Sequence, residues 1–278
     1  MKKILVLIFA LFALSVSAET YKVYLGTPPG ALSDVYTRKL FDLVHQDTGD
    51  VFIILNRPGA DQLVAYKEFL EESKVNNNVI YSSGTSSLVA SYLNHAELKL
   101  DPLQDTKSLF LIMPVEYYLI ARQDSSINSI NDIRGKINVG SSNSTNATLM
   151  RLSNFENSVI NIPFKGDNDI ILSLLQKEID IANIISINPL LKIYKDKIKI
   201  ISKFENIKIV GAVGYTVAKD FPDDRTLKLN HALNTAIHRA EIQQWFYDTF
   251  SEYPAGGPPS KYDTIILNFK RILFSKSQ

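Results

Sequence analysis

Short runs rich in β-branched residues alternate with stretches of helical periodicity along most of this chain. That alternation restricts it to a small set of α/β architectures. Strand-like runs fall at 21–25, 51–55, 79–81, 110–112, 117–121, 137–139, 159–162, 179–184, 198–201 and 207–213. Between them Tyr36, Leu40, Leu43 and Val44 recur at helical spacing, as do Leu63, Tyr66, Phe69 and Leu70,. Strands alternating with helices predict βαβ units and a mostly parallel sheet. The pattern changes after Thr226, where residues 226–250 read as one or two helices. Tyr253-Pro254-Ala255-Gly256-Gly257-Pro258-Pro259 then breaks the chain. Ser260, with Asp263 three residues later, resembles a capping box opening a last helix over 261–272,.

The first eighteen residues stand outside this pattern. Lys2 and Lys3 precede an unbroken apolar run over 4–14, and Val16 and Ala18 occupy the −3 and −1 positions of a cleavage site. These are the features of a secretory leader, and the run is short of the roughly 20 apolar residues a spanning helix needs. Losing Lys2 and Lys3 turns a formal charge of +1 into −1, which excludes the basic face a nucleic-acid partner would want. Residues 19–278 suit two lobes of roughly 100–150 residues each. The chain has no cysteine, so thiolate catalysis, thiolate metal sites and a lipid-anchored N-terminal cysteine are all ruled out. The expected location is free in a periplasm, and the expected state is a monomer.

Signals for catalysis are missing. There is no Gly-x-Ser-x-Gly elbow, Walker loop, EF-hand loop or paired-carboxylate signature, and the histidines His45, His95, His231 and His238 come with no third metal ligand,. Neither a cofactor nor a metal is expected. What does recur is a strand followed by a polar turn and a helix start, an arrangement that leaves backbone N–H groups free for an anion. The first such unit is Pro28-Pro29-Gly30-Ala31-Leu32-Ser33-Asp34. Here Ser33 is the expected N-cap, Asp34 pairs with Arg38 or borders the ligand, and the Gly30 and Ala31 amides with the Ser33 hydroxyl are the expected anion donors. The second is Ser82-Ser83-Gly84-Thr85-Ser86, with Ser83, Gly84 and Thr85 as candidates. The third is the dense polar run Ser141, Ser142, Asn143, Ser144 and Thr145, and the fourth is Lys165 and Gly166 after a strand. Each can also be an ordinary cap or turn.

Taken together, these pieces resemble one family over nearly the whole of residues 19–278: the periplasmic solute-binding receptors of tripartite tricarboxylate transporters, also called Bug receptors. The resemblance rests on Pro28-Pro29-Gly30 with Asp34 and Arg38, Asn56-Arg57-Pro58-Gly59-Ala60, Ser82-Ser83-Gly84-Thr85, Asp101-Pro102-Leu103-Gln104-Asp105, Gly140-Ser141-Ser142 and Pro163-Phe164-Lys165-Gly166. Leu229-Asn230-His231-Ala232-Leu233-Asn234 and Pro254-Ala255-Gly256-Gly257 extend it to the C-terminal region. Ala31 stands where the family usually has glycine, Thr37 where it usually has alanine, and Asp61-Gln62 replaces a Gly-Gly pair. A Pro-Thr-x-x-Glu segment is not recognisable between Lys195 and Pro222.

The resemblance implies a two-lobed, hinged type II periplasmic-binding-protein fold. Lobe 1 would take residues 19–118 plus 215–278, lobe 2 residues 119–214, and the strands near 117–121 and 207–213 would form the hinge. It implies a small carboxylate held between the lobes and delivered to the membrane permease of a tripartite tricarboxylate-type transporter, with no chemistry performed. Two other readings remain open on the residues alone: an extracytoplasmic enzyme on the same bilobed scaffold, and a receptor presenting ligand to a membrane sensor.

Overall fold

The computed structural model describes residues 18–94, 100–142, 159–202 and 210–275. The leader and Asn143, Ser144 and Thr145 lie outside them. The chain begins with β1 (Thr20–Leu25), α1 (Leu32–Thr48), β2 (Val51–Asn56), α2 (Leu63–Ser73), β3 (Val79–Gly84), α3 (Thr85–Asn94) and α4 (Pro102–Asp105). A 17-residue strand, β4 (Thr106–Arg122), leads to β5 (Ile137–Ser141), β6 (Val159–Pro163), α5 (Asp167–Leu175), β7 (Ile181–Ile185), α6 (Pro189–Ile193) and β8 (Ile198–Ser202). The chain then returns through β9 (Val210–Ala218) and ends in α7 (Asp223–Ile237), α8 (Ala240–Phe250) and α9 (Pro259–Ser275).

Among the described residues the strands form one sheet, ordered β2-β1-β3-β9-β4-β7-β5-β6, with β8 also on β4. The expected mostly parallel sheet is only half right. β1 pairs in parallel with β2 and β3, and β5 with β6 and β7. Every pairing of β4 and β9 is antiparallel. The long strand β4 joins two small parallel sheets: its residues 106–116 pair with β9, and its residues 117–122 with β7 and β8. The sequence shows β4 as two runs because Pro114 interrupts the pattern. Pro114 sits just past a register shift between Leu111 and Met113, where a strand tolerates proline,.

Three cores hold these layers together. Leu40, Phe41 and Val44 of α1 meet Leu229, Leu233 and Ile237 of α7 and Phe246 of α8 on one face of the first sheet. On its other face Tyr66 and Phe69 of α2, Leu88 of α3 and Tyr262, Ile266 and Phe269 of α9 pack on Tyr81 and Leu111, and this core runs on to Leu119, Val139 and Ile181. Ile170, Ile171 and Leu174 of α5 cover Ile120, Ala182 and Ile184 in the second half. Each fully buried side chain of this size contributes about 1.5–3 kcal/mol, which offsets the absence of disulfides. The C-terminal helices therefore belong with β1–β3, although they follow the second half in sequence. The expected stretch 226–250 is two helices parted at Arg239, and the last helix starts at Pro259, two residues before the expected start.

Candidate functional site

A cavity of about 930 Å³ lies where the two halves of the sheet meet. The first half supplies residues 26–33, Tyr36, residues 58–62 and Ser82, Ser83, Gly84 and Ser86. The second supplies Ser142, residues 164–169, Ile185 and Ile187. Val115, Tyr117, Ala212 and Val213, from the strands that join the halves, complete the lining.

The loop after β1 reaches this cavity through a turn that only Gly30 suits, at φ +79°,. The cap position of α1 falls at Ala31, not Ser33, and no side chain caps the helix. Ser33 lies in the first turn, where its hydroxyl bonds that of Thr27. The donors expected here are mostly used inside the loop. The Gly30 amide donates to Asp34 Oδ2 at 2.9 Å, and the Ala31 amide to the Pro28 carbonyl at 3.2 Å. Asp34 is 4% exposed and does not border the cavity. Its Oδ1 accepts from Arg38 Nε at 2.9 Å, Arg38 donates on to Asn56 Oδ1 at 3.0 Å, and Asn56 donates to the Thr27 carbonyl at 3.0 Å. Burial works to raise the Asp34 pKa, but the Arg38 guanidinium and the Gly30 amide outweigh it and hold the carboxyl below its ordinary value,. Asp34 thus fixes the loop. What the turn leaves facing outward is the uncapped first turn of α1, whose N–H groups have no intrahelical partner.

The second wall is a backbone of unusual shape. Gly59 has φ +135°, and Ala60, Asp61 and Gln62 follow at +44°, +53° and +71°. Three successive non-glycine residues in the left-handed region cost roughly 1–2 kcal/mol each. Gln62 also presses on the first loop: a Cβ added at Gly26 would lie 2.6 Å from Gln62 Cγ.

The serine run after β3 is not a loop. β3 continues through Gly84, and α3 begins at Thr85 without an intervening turn. Ser83 and Gly84 border the cavity, yet Ser83 Oγ bonds the Tyr262 hydroxyl at 3.1 Å and that hydroxyl donates to the Ser83 carbonyl at 2.9 Å. Thr85 is fully buried away from the cavity and accepts the Ala212 amide at 3.0 Å. Ser82 and Ser86 do line the space. Neither stood out in the sequence from its serine neighbours.

In the second half Ser141 is buried and donates to Asn161 Oδ1 at 2.6 Å, off the cavity, while Ser142 borders it. Lys165 is exposed at the rim and Gly166 follows it. Asp167 is the residue sequence reasoning missed. It opens α5 half-buried, and desolvation pushes its pKa above the ordinary carboxylate value, against the opposing influence of Ser142 and the Ile185 backbone,. Asn168 and Asp169 line the same edge. An acidic first turn right after a candidate loop was the available signal, hidden because acids there ordinarily complement the helix dipole. Tyr117, on the floor, is buried with its hydroxyl pKa raised by desolvation, against the opposing influence of Ser86 and Thr85,. His45 bonds the Asp50 carbonyl outside the cavity, and His95 lies outside the described residues.

A sequence model described as the tripartite tricarboxylate transporter family receptor matches residues 36–209. The chain is 25% identical over 243 residues to a UPF0065 protein of Bordetella pertussis, covering 81% of this chain and 72% of that protein. Among solved structures it superposes on the periplasmic binding protein BugD with a TM-score of 0.74 at 14% identity, over 93% of this chain and 97% of BugD. It superposes equally well on MatC of Rhodopseudomonas palustris, solved with malate bound, with a TM-score of 0.74 at 14% identity over 92% and 98% of the two chains. The two-lobed fold expected from the sequence is the one these neighbours share.

Proposed function

This chain belongs to the tripartite tricarboxylate transporter receptor family, and on that premise we propose that it captures a small carboxylate in the cleft between its lobes and delivers it to membrane permease subunits of that transporter type. The observation that carries this reading is the cavity of about 930 Å³ walled by both halves of the sheet, with the uncapped N-terminus of α1 on one side and Lys165-Gly166 on the other. A helix N-terminus favours a carboxylate by its dipole and its unpaired amides. Malate in the similar MatC supports the ligand class.

We take residues 19–118 and 215–278 as one lobe and 119–214 as the other, with β4 and β9 as the hinge; the switch of β4's partners after Glu116 supports a boundary close to this point. Closure would bury the ligand and strengthen its charge-assisted hydrogen bonds. The cleft groups we assign to recognition are the first turn of α1 after Gly30, with Ser83–Gly84, Ser86, Ser142 and Lys165-Gly166. The protein would work in the periplasm after loss of its leader. Among the described residues no helix is long and apolar enough to cross a membrane.

A thermal-shift screen against mono-, di- and tricarboxylates tests the reading. A ligand that binds only the folded chain adds about 2.7 kcal/mol at 100 times its dissociation constant. At least one carboxylate should raise the melting temperature saturably. Stabilisation by amines alone, with every carboxylate inert, would overturn the proposal.

A further inference from the structure

At the end of the β1–β2 pair away from the cleft, Asp50 precedes β2 and is 1% exposed. Local bonds fix its backbone. Its amide donates to Thr48 Oγ1 at 3.1 Å, and its carbonyl accepts from the His45 ring Nδ1 at 2.8 Å. Among the described residues its carboxylate has one donor, the Glu19 main-chain N–H, 2.8 Å from Oδ1. A buried carboxylate is ordinarily paired with a charge, and a single neutral N–H compensates it poorly. Glu19 is held on its other sides as well. Its carbonyl accepts the Val51 amide at 2.7 Å, Asn78 donates to its Oε2 at 2.7 Å, and Arg225 stands 3.6 Å from the same oxygen. Ala18, one residue earlier, is exposed. The firmly bonded chain thus starts at the residue that follows the expected cleavage point.

Cleavage there changes the chemistry of the Glu19 nitrogen. An amide N–H is uncharged and donates one hydrogen bond, whereas an α-ammonium group carries a full charge and donates three. The Glu19 carboxylate already has Arg225 and Asn78 beside it, which leaves Asp50 as the partner of the terminal charge. Resting on the leader reading above, we infer that Asp50 is the receiving site for the α-ammonium group freed when the leader is cut between Ala18 and Glu19. Thr48 and His45 hold the Asp50 backbone in place for it, and Asn78, Arg225 and the Val51 amide hold Glu19. Processing and stability are thereby coupled: the cleaved chain has a buried ion pair that its precursor lacks. The site lies apart from the ligand cleft and does not depend on the ligand class.

Two forms of the chain without its leader test this. One begins at Glu19 and the other at Ser17, which keeps the residue 19 nitrogen an amide. In urea unfolding at pH 7 the folding constant of the Glu19 form should be roughly tenfold the larger, a difference of about 1.4 kcal/mol. Asp50→Asn should remove the difference between the two forms. The pH dependence of α-amine acylation, read on the N-terminal peptide, gives a second measure that needs no variant. The α-amino group of the Glu19 form should titrate above its ordinary range of about 7.7–8.0, and that of the Ser17 form within it. Equal stability of the two forms, or a Glu19 α-amino group that titrates in the ordinary range, overturns the inference. N-terminal sequencing of exported protein tests the leader reading separately: a start elsewhere than Glu19 overturns that reading even where the two forms differ in stability.

Discussion

Replacing Asp34 by Asn tests whether the first loop is held from within. The side chain is 4% exposed, with Oδ2 accepting the Gly30 amide and Oδ1 accepting Arg38 Nε, both at 2.9 Å. Asparagine keeps the volume but replaces one oxygen with an NH₂ group, so a donor must confront either the amide or the guanidinium. A hydrogen bond to a charged group contributes about 1.5–3 kcal/mol. The Arg38 share is smaller, because Arg38 is half exposed and exposed helix pairs give about 0.3–0.5 kcal/mol,. The expected loss is about 2 kcal/mol at pH 7, or a fall of roughly 4–8 °C in melting temperature for a chain of this size. The Asp34 pKa lies below its ordinary 3.8 in the folded chain. Its contribution is therefore complete above the unfolded value and is lost as pH falls through the folded one. Urea unfolding of both proteins at pH 7, 5 and 3 should show an unchanged gap at the first two and a narrowing gap at the third. Equal stability at pH 7, or a gap as wide at pH 3 as at pH 7, would show that something other than the ionised Asp34 carboxylate secures the Gly30 turn.

Two further outcomes follow from the same geometry and from the leader. Gly26→Ala places a Cβ against Gln62 and should cost about 1–3 kcal/mol by overpacking,. Adding Gln62→Gly should recover part of it, since glycine removes the Cβ and Cγ contacts and suits φ +71°, while the Cα of residue 62 stays 2.9 Å away,; strictly additive losses in the double-mutant cycle would refute the contact. Protein exported from a host with a periplasm should begin at Glu19 by N-terminal sequencing, and an intact 1–18 segment would overturn the leader assignment.

The scaffold was legible because its signal is periodic. The apolar stripe of α1 and the apolar runs of β1 and β5 follow from burial, and burial leaves a spacing in the sequence,. Errors gathered where pairing, not patterning, decides. β9 runs on through Tyr215, Thr216 and Val217 because β3 and β4 flank it. The antiparallel switch at β4 depends on partners far away in the chain. Ser82–Gly84 looked like a loop from its composition, yet it completes β3 opposite Val213–Tyr215.

The site was legible as a set of loops but not as a set of donors, for a physical reason. A polar residue next to a backbone turn can serve the turn or a ligand, and composition is the same in both cases. Asp34, Thr85 and Ser141 show the first use: each is buried and hydrogen-bonded within the chain. Once their bonds are assigned, the donors left for a ligand are those the fold does not need. They are the first-turn amides of α1 and Lys165 at the rim. Asp167 and Asp169 border the same cavity from the first turn of α5, where an acid ordinarily complements the helix dipole, so composition alone does not mark them as part of its lining,.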